Sequence, residues 1–229
     1  MGAVYKVYSK DLNSHLNEAK KTIDPNFSFK RVPLHLGDKS VFADDHFIIT
    51  YIEPFERNAA ARGLDLGSES NRRNAAERAI ISGNATLTDR IRLIQDKNQR
   101  FGFLVYLPVY KSNLPITTTN ERIKAFSHWI YAPFVTELFL DSIFSKFKND
   151  QVSFKLYDKA EPSEENLVYS FHANNKNMSG LQTLNAIILG DKVFYAEWSQ
   201  TSKYMASNNF LSTWIGLIGT VIVLIVVLL

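Results

Sequence analysis

From Tyr204 to Leu229 the chain carries no charged residue, and its last part, Phe210 to Leu229, is predominantly apolar over about the 20 residues that a helix needs to cross a bilayer. A helix buried in a globular core is seldom apolar on every face for so long. Trp198, Tyr204, Phe210 and Trp214 precede or begin the run, as an interfacial aromatic belt does. The pattern predicts a transmembrane helix over residues 208–229, and its C-terminal position excludes a signal peptide. No Lys or Arg follows the span to mark a cytoplasmic side. Read literally, the chain is a folded domain with a tail anchor.

The remaining residues are enough for one large domain or two small ones. Its 26 basic and 23 acidic residues are interspersed, so a net charge of +3 describes a solvated surface and not a nucleic-acid footprint. Without cysteine there is no disulfide framework, thiolate metal site or cysteine nucleophile. Among the five histidines, none stands at a spacing that places two ligands on one helix face, so no metal site is expected. No nucleophile elbow, phosphate-binding loop or dinucleotide fingerprint is present, so no enzyme, catalytic residue or cofactor is expected within this chain.

Taken in order, Tyr5, Tyr8, Leu12, Leu16, Ala19 and Ile23 recur in steps of three and four, which predicts one long amphipathic helix over Val4–Ile23, ended by Pro25. Asp24 to His46 reads as loop. Phe47 to Ile52 is a β-branched and aromatic run stopped by Pro54. Gly63 to Ser70 has turn composition. Ala75, Ala76, Ala79 and Ile80 then mark a helix over 71–81, with Gly83 at its C-cap. Phe101 to Tyr110 is a strand apolar on both faces. After a polar connector at Lys111–Asn120, a new element begins at Glu121, Val135–Phe147 carries a helical stripe, and strands are expected at 151–157, 167–171, 184–189 and 192–198, the last two joined through Gly190-Asp191. The strand, loop, helix, strand order of the first half recurs in the second.

The central stretch holds Tyr51-Ile52-Glu53-Pro54, Gly63-Leu64-Asp65-Leu66, Asn71-Arg72-Arg73, Ser82-Gly83, Leu87-Thr88 and Gly102-Phe103-Leu104-Val105-Tyr106-Leu107-Pro108, followed by Tyr131-Ala132-Pro133-Phe134. In that order and spacing they resemble the CHASE domain, the extracytoplasmic sensory module of sensor histidine kinases, nucleotide cyclases and cytokinin receptors. The resemblance implies an α+β fold: a stalk helix at residues 1–24 and a sensor domain over 25–205 made of two tandem PAS-like lobes with antiparallel sheets, at about 25–120 (membrane-distal) and 121–205 (membrane-proximal). It further implies a periplasmic sensor on the inner membrane, a homodimer, and an output module, kinase or cyclase, outside this chain, which then reads as a fragment. The alternative is a tail-anchored protein whose domain binds a protein partner.

The same resemblance implies a small-molecule site in the distal lobe, for a planar, adenine-like ligand. Asp65 would accept a ligand N–H, the backbone at Leu87 would make a second polar contact, and Phe103 and Tyr106 lie on the strand expected to form a wall. A buried carboxylate is costly without a partner, which gives such a site selectivity. Asp65 equally reads as a cap of the following turn or as a partner of Arg72 or Arg73. Strand alternation puts Phe103 and Tyr106 on opposite faces, so one at most lines the pocket. Phe103 and Tyr51 are expected in the core, and Glu53, Arg72 and Arg73 in ion pairs that hold the loop.

Overall fold

The structure, a computed structural model, describes residues 1–94, 96, 98, 100–145, 152–171 and 182–200. The expected transmembrane helix at 208–229 and the expected loop at 173–180 lie outside the described residues. Among those described, no helix is long and apolar enough to cross a membrane.

In chain order the elements are β1 (Gly2–Tyr8), α1 (Leu12–Thr22), β2 (Lys30–Arg31), β3 (Asp45–Ile52), α2 (Phe55–Asn58), β4 (Leu64–Asp65), α3 (Ser70–Ser82), β5 (Thr86–Leu87), β6 (Ile91–Arg92), β7 (Phe101–Tyr110), α4 (Thr119–Ala125), β8 (Phe126–Val135), α5 (Thr136–Phe144), β9 (Val152–Tyr157), β10 (Leu167–Phe171), β11 (Gln182–Leu189) and β12 (Lys192–Gln200). The fold is α+β. It divides into two compact units, one of residues 1–141 with 188–192, the other of 142–187 with 193–229.

The first unit is built on an eight-stranded sheet in the order β2-β4-β3-β1-β8-β7-β5, with β6 beside β7. All its pairings are antiparallel except β2 with β4. Alternation sends Phe47 and Ile49 to one face of β3 and Ile48 to the other. The first face is covered by α3, whose Ala75, Ala76 and Ala79 are small enough for the helix to lie close against Phe47, Tyr106 and Trp129. The Trp129 indole N–H donates to the Ala76 carbonyl at 2.8 Å and ties that helix to the sheet. The other face carries α1, through Leu12, Leu16 and Ala19 against Val7, Phe27 and Ile48.

Helix α3 begins at Glu69, whose carboxylate accepts from the Asn71 and Arg72 N–H groups, and ends at Gly83 in the left-handed region at φ 78°. The start of α4 is a capping box between Thr118 and Glu121, which the sequence reading did not resolve.

The long helix expected over Val4–Ile23 is corrected. Residues Gly2–Tyr8 are a strand in the middle of the sheet, and the helix starts only after it, as a 3-10 turn at Ser9–Asp11 that leads into the α-helix Leu12–Thr22. Val4 faces α3 while Tyr5 and Val7 face α1, so this strand is apolar on both sides. Such a strand shows no clean period of two, and its aromatic positions chance to fall on helical spacing. The lobe boundary expected near residue 120 is corrected as well. Strand β8 pairs with β1 and β7, so the connector at 111–120 returns the chain to the same sheet and the division falls at 141/142. Tyr51, expected in the core, is 49% exposed.

The second unit has a four-stranded sheet in the order β10-β9-β12-β11. Phe154 and Trp198 are partners across β9 and β12 with ring centroids 4.6 Å apart, and Phe144 from the end of α5 stacks on Phe171 at 4.8 Å. The strands expected at 151–157, 167–171, 184–189 and 192–198 are all present, within two residues at each end.

Candidate functional site

The Gly63-Leu64-Asp65-Leu66 segment crosses the edge of the first sheet at a close approach. Gly63 has φ 80°, and a Cβ there would clash with the Ser28 carbonyl oxygen. This anchors a register in which Leu64 and Leu66 enter the core with α3. Asp65, 2% exposed, is aligned with Ile48 of β3. Its Oδ1 accepts the Phe47 backbone N–H and its Oδ2 the His46 Nδ1–H, each at 2.8 Å. The imidazole thus carries its proton on Nδ1, while Nε2 lies 3.2 Å from the Ser9 hydroxyl. Neither Arg72 nor Arg73 is its partner. Arg72 donates to Glu69 Oε2 at 2.8 Å and to the Arg92 carbonyl at 2.9 Å, whereas Arg73 donates to Asp45 and Glu77. Glu53 is engaged locally, accepting from the Phe55 N–H.

The Leu87 backbone is also engaged. Its N–H donates to Asp191 Oδ1 at 2.7 Å and its carbonyl accepts from Arg78 Nη2 at 2.8 Å; Arg78 in turn holds Asp191 through Nε. Asp191 lies in the tip 188–192 that belongs to the first unit. Phe103 is buried and aligned with Phe134 of β8.

Tyr106 differs from the other three. It is fully buried on the α3 face, directly across from Tyr131 in the β7–β8 register. The hydroxyls of both residues are buried and, among the described residues, have no hydrogen-bond partner. Burial pushes both phenols well above their ordinary pKa, against the opposing pull of Arg72 on Tyr106, so both remain protonated donors. Tyr106 lies within electrostatic reach of Arg72, Tyr131, Glu69 and Asp65.

Tyr131 lines a small cavity of about 10 Å³, the space of one water molecule, walled by Ile49, Leu64, Leu66 and Leu104 and completed by Arg72 and Leu93. Leu93 also borders an open groove of about 490 Å³ between Pro54, Arg57, Pro133 and Phe139. Of the four residues singled out in the sequence, Tyr106 alone carries a buried polar group left unsatisfied among the described residues, and it lies in the core under α3 and not in the cavity wall. Asp65 and Leu87 turn theirs to other parts of the protein. Tyr131, Arg72 and Glu69 were not singled out as site residues. The Tyr131-Ala132-Pro133-Phe134 motif was visible, but its meeting with Tyr106 depends on strand register, which no local signal carries. A family model described as the CHASE domain matches residues 1–169, a span that takes in the whole 1–141 segment and reaches β10.

Proposed function

This chain belongs to the CHASE domain family, and from that premise we propose that it is the extracytoplasmic ligand-sensing region of a membrane-bound signal-transduction receptor. Its first unit binds a small molecule and passes a conformational change to an output module of the kinase or cyclase kind. The membrane anchor is the apolar segment 208–229, and the receptor works as a homodimer. The observation that carries the reading is the buried hydroxyl of Tyr131, without a partner among the described residues and at the wall of a cavity in the first unit, with the equally unpartnered Tyr106 hydroxyl on the neighbouring strand. Buried polar groups without partners are rare in proteins, and each calls for an explanation, a function among them. As it stands the cavity is too small for a planar bicyclic ligand, so binding must move Leu93 toward the outer groove. That movement gives the ligand its different affinity for two states, without which no signal passes.

A thermal-shift screen of the full chain in mild detergent, against purines, cytokinins, amino acids and small organic acids, tests this. A compound at about 100 times its Kd adds about 2.7 kcal/mol, a shift of several degrees. The shift is expected to vanish in Ala61→Leu, which fills the cavity wall where Ala61 is buried. No shift from any compound, in a chain that is demonstrably folded, would move the reading to a domain that binds a protein partner.

A further inference from the structure

We propose that Ser9, His46 and Asp65 form a nucleophilic site on the first unit, in which Ser9 takes the acyl group of a small ester and passes it to water. None of the three lines the cavity at Tyr131, and the proposal does not rest on the ligand reading of that cavity.

Three neighbouring strands bring these residues together, which is why no contiguous motif announces them. Strand β1 pairs with β3 through Val7 and His46, and just past its end the Ser9 N–H extends the ladder by donating to the Asp44 carbonyl at 2.8 Å. Strand β4 lies on the other side of β3, with Asp65 aligned with Ile48. The Ser9 hydroxyl then lies 3.2 Å from His46 Nε2, and His46 Nδ1 lies 2.8 Å from Asp65 Oδ2. Both distances suit a nucleophile, its base and the group that orients the base. Phe29 packs edge-on to the imidazole, with ring centroids 5.1 Å apart, and the Phe47 N–H holds the other carboxylate oxygen, so base and carboxylate are both positioned by the fold.

Exposure is graded along this chain of bonds. The Asp65 side chain is 2% exposed and that of His46 13%, whereas Ser9 is exposed. The carboxylate is thus kept from water at one end, and the hydroxyl meets solutes at the other. Because Asp65 accepts the Nδ1 proton, Nε2 turns a lone pair to Ser9. In the reaction Ser9 Oγ bonds to the ester carbonyl carbon as its proton passes to Nε2, and Asp65 stabilises the imidazolium that forms. The bond from that carbon to the leaving oxygen breaks, and His46 returns the proton to the departing alkoxide. Water adds to the acyl carbon by the same route, releasing the acid and restoring Ser9. Ser9 opens the turn Ser9–Asp11, and the N–H of Lys10, in the first turn of a helix start, is the donor for the oxyanion. An exposed hydroxyl selects by reactivity more than by shape, so the substrate class is a small, unhindered ester with a good leaving group.

The test treats the full chain in mild detergent with diisopropyl fluorophosphate and, separately, follows its hydrolysis of p-nitrophenyl acetate, beside Ser9→Ala, His46→Gln and Asp65→Asn. The fluorescence of the buried Trp129 checks that each variant is folded, and Ser9→Ala changes only an exposed side chain. In the labelling step the Ser9 oxygen bonds to phosphorus, the P–F bond breaks, and fluoride leaves while the proton goes to His46. One diisopropylphosphoryl group is expected, mapped to Ser9 by peptide mass spectrometry, and hydrolysis is expected to fall by about tenfold or more in Ser9→Ala and in His46→Gln. Asp65 is a positioning residue: Asp65→Asn lets His46 take its other tautomer, so the labelling rate is expected to fall by about tenfold or more in a chain that stays folded. A carboxylate that only tied the strands together would leave that rate unchanged, and this result would overturn the proposal. So would the absence of label at Ser9 in the folded chain, or hydrolysis that persists in Ser9→Ala. Each of these outcomes leaves the ligand pocket at Tyr131 standing.

Discussion

Replacing Asp65 by Ala separates a structural role from a ligand-binding one. The substitution leaves the N–H of Phe47, a residue with 0% exposure, without its acceptor, and releases His46 from a 2.8 Å contact. A hydrogen bond to a charged acceptor is worth about 1.5–3 kcal/mol, so the two together predict a loss of about 3–6 kcal/mol. That is a large part of the about 5–15 kcal/mol of a typical domain. Asp65→Asn keeps an oxygen for the Phe47 N–H, and His46 can accept from the new amide in its other tautomer, so a loss of about 1 kcal/mol is expected. The assay is urea unfolding of the full chain, followed through the fluorescence of Trp129, which is buried against α3. With a urea slope of about 2 kcal/mol/M, the Ala variant's midpoint falls by about 1.5–3 M. An unchanged midpoint in Asp65→Ala, with ligand-induced stabilisation abolished, would refute the structural assignment and make this carboxylate a ligand contact.

Two further predictions concern stability. Gly83→Ala places a side chain at φ 78°, with its Cβ 3.2 Å from Arg122 Cδ, and is expected to cost about 1 kcal/mol and lower Tm by a few degrees in calorimetry; an unchanged Tm would argue that α3 does not end in the left-handed cap. Burial lowers the pKa of His15 and of His128, so unfolding takes up protons near the unfolded value of about 6.5. Stability from these groups is complete above that value and is lost as pH falls through their depressed folded values. The urea midpoint should therefore drop between about pH 7.5 and 5.5. A His15→Gln, His128→Gln double variant should flatten that drop, and an unchanged profile would remove these two residues from the explanation.

Much of the fold is written in short-range pattern. Helix α3 follows from Ala75, Ala76, Ala79 and Ile80 at helical spacing and from Gly83 beyond them, and β7, β9, β10 and the β11–β12 hairpin follow from apolar runs bounded by turn residues. These are properties of neighbouring residues, set by backbone geometry and local capping, and the sequence by itself determined them. The CHASE resemblance was legible for the same reason, since its motifs are contiguous.

Other features depend on which strands become neighbours, and only the tertiary structure decided them. Strand β1 became a strand because β3 and β8 flank it, although the spacing of Tyr5, Tyr8 and Leu12 also satisfies a helix. The unit boundary moved because β8 completes the first sheet. Asp65 found its acceptor role beside His46 and Phe47 through the antiparallel alignment of β3 with β4, and not with the nearby arginines. Tyr106 and Tyr131 became a pair of facing donors only through the β7–β8 register. A side chain's type is local, but whether its hydrogen-bonding capacity is spent or free is a property of everything packed around it.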